Sequence, residues 1–100
     1  MAELTNAAFF NARSGRSDEL GSELLKLVSP SRQEKGCLRY EIHQSKDDPH
    51  AWMVLEDWRQ PSDFDLHMAS DYVRAFMAKV PELCVGKVEI CAYRQVSPQY

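Results

Sequence analysis

An α+β fold built on one antiparallel sheet is predicted by three observations. Side chains alternate in the strand manner over Cys37 to Gln44 and again over Ala51 to Trp58, with the turn sequence Asp47-Asp48-Pro49-His50 between them. Helical spacing flanks this hairpin, with Leu20, Leu24, Leu27 and Val28 before it and Tyr72, Val73, Phe76, Met77 and Val80 after it. Each end of the chain carries a further strand-like run, Leu4 to Arg13 and Val85 to Val96. Period two marks a strand, and recurrence at three and four marks one helical face. The order is therefore strand, helix, strand, strand, helix, strand. This is the ferredoxin-like βαββαβ arrangement, an antiparallel sheet with its helices on one face.

The elements follow in turn. Ala7, Ala8, Phe9 and Phe10 are adjacent, which suits a first strand covered on both faces. Ser14-Gly15 is a turn. Ser17 is placed to cap a helix whose first turn carries Asp18 and Glu19. Pro30 fits the first position of a short second helix running to Lys35, with Gly36 as its terminator. In the next strand Leu38, Tyr40 and Ile42 are expected on one face and Arg39, Glu41 and His43 on the other. Trp52, Val54, Glu56 and Trp58 share one face of the returning strand; Ala51, Met53 and Leu55 share the other. Pro61 opens a short helix carrying Phe64 and His67. Ser70-Asp71 caps another, which Pro81 ends. The last run exceeds the usual five or six residues of a strand, a length that reaches past its own sheet.

Composition narrows the classes. One hundred residues make one domain, 1–100. The net charge is −3 with Lys and Arg scattered, which disfavours nucleic acid. No apolar run approaches a membrane span, and the start, Met-Ala-Glu-Leu-Thr-Asn, lacks the pattern of a signal peptide, so a cytoplasmic location is expected. Three cysteines without a CxxC pair fit neither a disulfide framework nor a zinc cluster. The histidines are too scattered for a metal site. Four glycines and no GxGxxG argue against a bound nucleotide. No cofactor is expected. A sheet with apolar residues on both faces needs a partner, and the economical one is a second copy.

The residues with chemical potential lie between Arg32 and Tyr72. His67, beside Phe64 and Met68, suits a general base near neutral pH, and equally a packed structural histidine. Glu56 stands on an otherwise apolar face, where a carboxylate must be paired or protonated. Its expected uses are a salt bridge to Arg32 or Arg39, or orientation of His67 or a substrate. Trp52 and Trp58 offer flat apolar surface, for a core or for stacking on an aromatic ring. Tyr40 and Tyr72 are candidates to place hydroxyls at the wall of the same pocket.

Taken together these residues resemble the antibiotic biosynthesis monooxygenase family. The resemblance runs from about Phe9 to Val96. It rests on Gly15 before a helix with Glu19-Leu20, Ser31-Arg32 with Glu34, Gly36-Cys37-Leu38 with Tyr40, Asp48-Pro49, Glu56-x-Trp58, His67 with Ser70, and Phe76. It implies a dimeric α+β barrel, paired sheet to sheet, with a pocket between sheet and helices in each subunit. It also implies oxygenation of a quinol or polyphenolic aromatic by molecular oxygen without metal or flavin. On that reading His67 is the base, Glu56 the orienting group and Trp58 the stacking wall, with Tyr40, Phe64 and Tyr72 around the substrate. One branch of the family degrades haem, but its later helix histidine falls at Phe76-Met77 here and its first-strand asparagine at Ala8. Another branch isomerises a small phosphorylated signalling molecule. A small-molecule-binding dimer without turnover is the remaining alternative.

Overall fold

In the computed structural model, which describes residues 2–98, the chain runs β1 (Leu4–Asn11), α1 (Ser17–Lys26), α2 (Val28–Arg32), β2 (Cys37–Gln44), β3 (Ala51–Trp58), α3 (Pro61–Met68), α4 (Asp71–Leu83) and β4 (Glu89–Tyr93). The sheet order is β2-β3-β1-β4, with every pairing antiparallel. This is the ferredoxin-like α+β fold expected from the sequence.

Register decides which side chains meet the helices. Leu4, Asn6, Ala8 and Phe10 of β1 lie opposite Trp58, Glu56, Val54 and Trp52 of β3. With Tyr40 and Ile42 of β2 they line the helix-facing side, and Leu20, Leu24, Phe76, Val80 and Leu83 close the core from above. Ala7, Phe9, Met53, Leu55 and Cys91 stand at the alternate positions and lie outside that core. Phe9 is 39% exposed. The sheet thus has a second apolar face.

Several local expectations are corrected. The pairing of β2 with β3 slips between Cys37 and Arg39, a bulge that gives Leu38 no partner. Leu38 therefore turns out to solvent, 50% exposed, while Cys37 packs against the core beside Tyr40. The second helix ends at Arg32, and Gly36 does not terminate it in a left-handed conformation. Gly36 is needed for space instead, because a Cβ there would collide with the Asp63 carboxyl group. Ser17 does not cap α1; its hydroxyl donates to Pro49 O at 2.5 Å and accepts from Trp52 Nε1 at 3.0 Å, pinning the helix start to the β2–β3 loop. Ser70 stands at the N-cap of α4, but its hydroxyl donates to His67 O at 2.6 Å. The helix continues past Pro81 to Leu83.

The long final strand is also corrected. Cys84 bridges Ala12, and Val85 N donates to Asn11 O at 2.8 Å. Gly86 then takes φ 73°, a conformation that glycine adopts without steric cost. Regular pairing resumes only over the five residues of β4. Val96 beyond it is 86% exposed.

Candidate active site

A small cavity lies between the helix-facing side of the sheet and α3–α4. Its walls are mostly apolar, among them Ala8, Phe10, Phe64, Phe76 and Met77; Tyr40, Glu56 and His67 supply the polar groups. No Lys or Arg lines it. It leaves about 30 Å³ for the centres of water-sized spheres, room for about two waters at 10–15 Å³ each. A ring enters only if the walls shift. Met68 and Met77 line the space, and methionine is the side chain best able to repack.

The short helix α3 places His67. Pro61 opens it, and Arg59 ties it down through two bonds to Asp63, 3.1 and 3.2 Å, beside the main-chain bond from Arg59 N to Gly36 O. His67 is 2% exposed. Its ring centroid lies 4.7 Å from that of Trp58 and 5.5 Å from that of Tyr40. Nδ1 lies 2.8 Å from Glu34 Oε2, and Tyr72 Oη donates to the same oxygen. Nε2 has no hydrogen-bond partner among the described residues.

Glu56 is 4% exposed. Oε1 accepts from Trp58 Nε1 at 2.9 Å and from Asn6 Nδ2 at 3.3 Å. Neither arginine reaches it: Arg32 donates twice to Tyr40 O, and Arg39 pairs with Asp57. The expected arginine bridge is thus replaced by two neutral donors. Burial pushes the Glu56 carboxyl above the ordinary carboxylate range, and the bonds from Trp58 and Asn6, then the nearby His67, pull against that rise. Burial, then the nearby Glu56, raises the Tyr40 hydroxyl as well. Tyr72 is pushed up to about 12 by burial and by its bond to Glu34. Both phenols therefore keep their protons at neutral pH and act as donors.

Of the residues expected at the pocket, His67, Glu56, Tyr40 and Phe64 converge on the cavity. Trp58 and Tyr72 do not line it. Trp58 is fully buried beneath His67, and the Tyr72 hydroxyl turns to Glu34. Glu34 and Asn6 are the polar partners to which sequence reasoning gave no role. The signal for Asn6 was its alternation with Ala8 and Phe10 on β1. Glu34 carried only its place in the resemblance.

A sequence profile described as antibiotic biosynthesis monooxygenase matches residues 4–79. The chain belongs to this family. Among solved structures, PA3566 from Pseudomonas aeruginosa is 31% identical with a TM-score of 0.90, and the match covers 97% of each chain. Protein SO0527 from Shewanella oneidensis is 28% identical with a TM-score of 0.89, covering 94% of this chain and 91% of that one. "Putative monooxygenase YcnE" of Bacillus subtilis (strain 168) is 24% identical over 83% of this chain and 87% of its own length. "Uncharacterized protein sll1783" of Synechocystis is 29% identical over 72% of this chain, which spans about half, 49%, of that relative. Membership in the antibiotic biosynthesis monooxygenase family supports a monooxygenase-like function in those coarse terms. No helix among the described residues is long and apolar enough to cross a membrane, and no three His, Cys, Asp or Glu among them are grouped to hold a metal ion.

The Glu56 environment has a thermodynamic consequence for this family member. A carboxyl held above its unfolded value of about 4.5 binds its proton more tightly in the folded chain. Its stabilising contribution is complete below the unfolded pKa and is lost as pH rises through the folded one. Glu56→Gln keeps an acceptor oxygen for Trp58 and Asn6 but carries no charge to bury. The variant is expected to melt at a higher temperature than the parent near pH 8 and at about the same temperature near pH 4. Paired thermal melts at the two pH values check this; equal melting temperatures at both would show that Glu56 ionises without cost.

Proposed function

We propose that this protein is a cofactor-independent monooxygenase that oxidises a phenolic or quinol-type aromatic with molecular oxygen, and that His67 is its base. The observation that carries the reading is a buried imidazole lining a mostly apolar cavity, with no hydrogen-bond partner for Nε2 among the described residues. The wall supplies a hydrogen-bond donor at Tyr40 and a carboxyl at Glu56 to orient a hydroxylated ring, and Phe64 is an aromatic neighbour.

The chemistry asks little more of the protein. Nε2 takes the hydroxyl proton, leaving the electron pair on the ring oxygen. The phenolate is electron-rich enough to pass one electron to oxygen. The resulting radical pair combines as a peroxide at a ring carbon, and His67 returns the proton to the peroxide. Loss of water leaves a quinone, so one phenol and one oxygen molecule give one quinone and one water. Apolar walls suit this sequence, because they hold an uncharged ring and keep bulk water from the intermediates. The absence of a cation from the wall weighs against a phosphorylated substrate and its isomerisation.

The test is oxygen uptake on a panel of phenols and quinols, with ¹⁸O-labelled oxygen. One labelled atom in the product per oxygen consumed supports the reading. A panel that is bound but not consumed would favour a binding dimer.

The assembly we propose is a homodimer paired through the outer sheet face, with the chain beyond β4 reaching toward the partner. Ala7, Phe9, Met53 and Leu55 on that face, and the exposed Val96, support it. Sedimentation is expected to give twice the chain mass at micromolar concentration, with roughly 2,000 Å² or more buried. A stable monomer at that concentration would overturn it.

A further inference from the structure

We infer that Glu34 and Tyr72, neither of which lines the cavity, are positioning residues that fix His67 in the tautomer with its proton on Nδ1 and its lone pair on Nε2. The inference rests on the phenol-oxidising role given to His67 above, and it names the groups that make the imidazole a base at one defined atom.

The geometry is specific. Glu34 sits in the turn between α2 and β2, held by main-chain bonds from Glu34 N to Ser31 O at 3.1 Å and from Cys37 N to Glu34 O at 3.1 Å. Its Oε2 faces Nδ1 at 2.8 Å. A carboxylate only accepts hydrogen bonds, so Nδ1 must be the donor. A neutral imidazole with its proton on Nδ1 keeps its lone pair on Nε2, the nitrogen without a partner among the described residues. Tyr72 donates to the same carboxylate oxygen from α4. That second bond fixes where the oxygen points and occupies its remaining electron density, so the proton stays on the ring. The side chain of His67 is 3% exposed and that of Glu34 21%, so water competes weakly for the bond.

Other groups around the imidazole fit this assignment. Tyr40 packs from β2, Trp58 from β3, Phe64 from its own helix and Tyr72 from α4, with the Glu56 carboxyl of β3 nearby. Glu56 spends its Oε1 on Trp58 and Asn6, and Tyr40 is neutral. Glu34 is therefore the carboxylate in direct contact with the ring. When Nε2 takes a substrate proton, the O–H bond breaks and the Nε2–H bond forms. The positive charge then lies against Glu34, which lowers the cost of reaching that state. The same logic places a carboxylate behind the histidine of hydrolytic triads, where its conversion to an amide costs about 10⁴ in kcat.

Glu34→Gln and Tyr72→Phe, each checked by circular dichroism, provide the test. Long-range ¹⁵N–¹H NMR of the parent at neutral pH is expected to show the His67 proton on Nδ1. Glu34→Gln is expected to give a mixture of ring tautomers, since the amide both donates and accepts. Tyr72→Phe keeps the Nδ1 proton. In turnover, Glu34→Gln is expected to lower kcat by about 10²-fold or more with KM within about threefold. Added to His67→Ala, the same change is expected to cost less than about twofold, because the group it serves is gone. A parent ring protonated on Nε2 overturns the inference. So does a Glu34→Gln variant that keeps a single tautomer, or one that slows His67→Ala as much as it slows the parent. If no phenol or quinol is consumed, the reaction proposed above fails, and the ring-nitrogen spectra still decide what Glu34 and Tyr72 do.

Discussion

His67→Ala is expected to lower oxygen uptake by about 10²–10⁴-fold, the usual contribution of a positioned general base. The loss should appear in kcat and in kcat/KM alike, since the interaction removed is one made at the transition state. Raising the pH is expected to recover part of the activity, because hydroxide then generates the phenolate that the base no longer supplies. The parent, with its base in place, has no such need. A substrate already carrying an ionised hydroxyl at neutral pH should lose less than one with an ordinary phenol. The variant removes a buried ring packed against Trp58 and Tyr40, so a second variant guards the conclusion. His67→Gln keeps most of the bulk and lacks a basic nitrogen. If both variants fold and either oxidises the substrate as fast as the parent, His67 is not the base. Oxygen-electrode rates across a pH series, with circular dichroism on each variant, settle the matter.

The sequence carried the fold because its signals were local and mutually consistent. Alternation in Cys37–Gln44 and Ala51–Trp58 located two strands to the residue, and the stripe beginning at Leu20 located α1, whereas the second helix starts at Val28 rather than at Pro30. It misled where one residue changes the phase. The bulge at Leu38 gives β2 an extra position, so strict alternation grouped Leu38 with Tyr40 and Ile42, whereas Leu38 turns out to solvent. The run from Val85 onward looks continuous in hydrophobicity, yet Gly86 breaks it by backbone conformation, which hydrophobicity does not report.

The site was legible to the same degree. His67, Glu56, Tyr40 and Phe64 converge because their parent strands and helix were correctly placed. The polar connections were not legible, since each joins residues far apart in the chain: Asn6 with Glu56, Glu34 with His67 and with Tyr72. Spacing along a single element says nothing of such partners. From the sequence, Glu56 is a candidate to orient the base or a substrate, because it is the carboxylate on the strand face shared by Trp52 and Trp58. The turn that brings Glu34 to Nδ1 gives that contact to a residue 33 positions away.

Trp58 shows how a burial pattern separates two roles that its residue type leaves open. As a stacking wall, its loss would weaken substrate binding. Its indole is instead 0% exposed, lies outside the cavity lining, packs against His67 at 4.7 Å and donates to Glu56. Trp58→Ala is therefore expected to lower stability by about 3–5 kcal/mol, the range for a fully buried large aromatic. Glu56 Oε1 also loses one of its two donors, keeping only Asn6, which adds to that cost. At about 4–8 °C per kcal/mol for a domain of this size, the melting temperature should fall by more than about 12 °C. Trp58→Phe refills most of the space without the indole N–H, so it isolates the hydrogen bond and should cost less than half as much. Urea or thermal unfolding of the three proteins at one fixed concentration measures both terms, because any assembly makes apparent stability concentration-dependent. A Trp58→Ala variant as stable as the parent that binds the aromatic substrate at least tenfold more weakly would restore the stacking role. A variant that melts early, while its folded fraction binds normally, makes Trp58 the floor on which His67 and Glu56 are held.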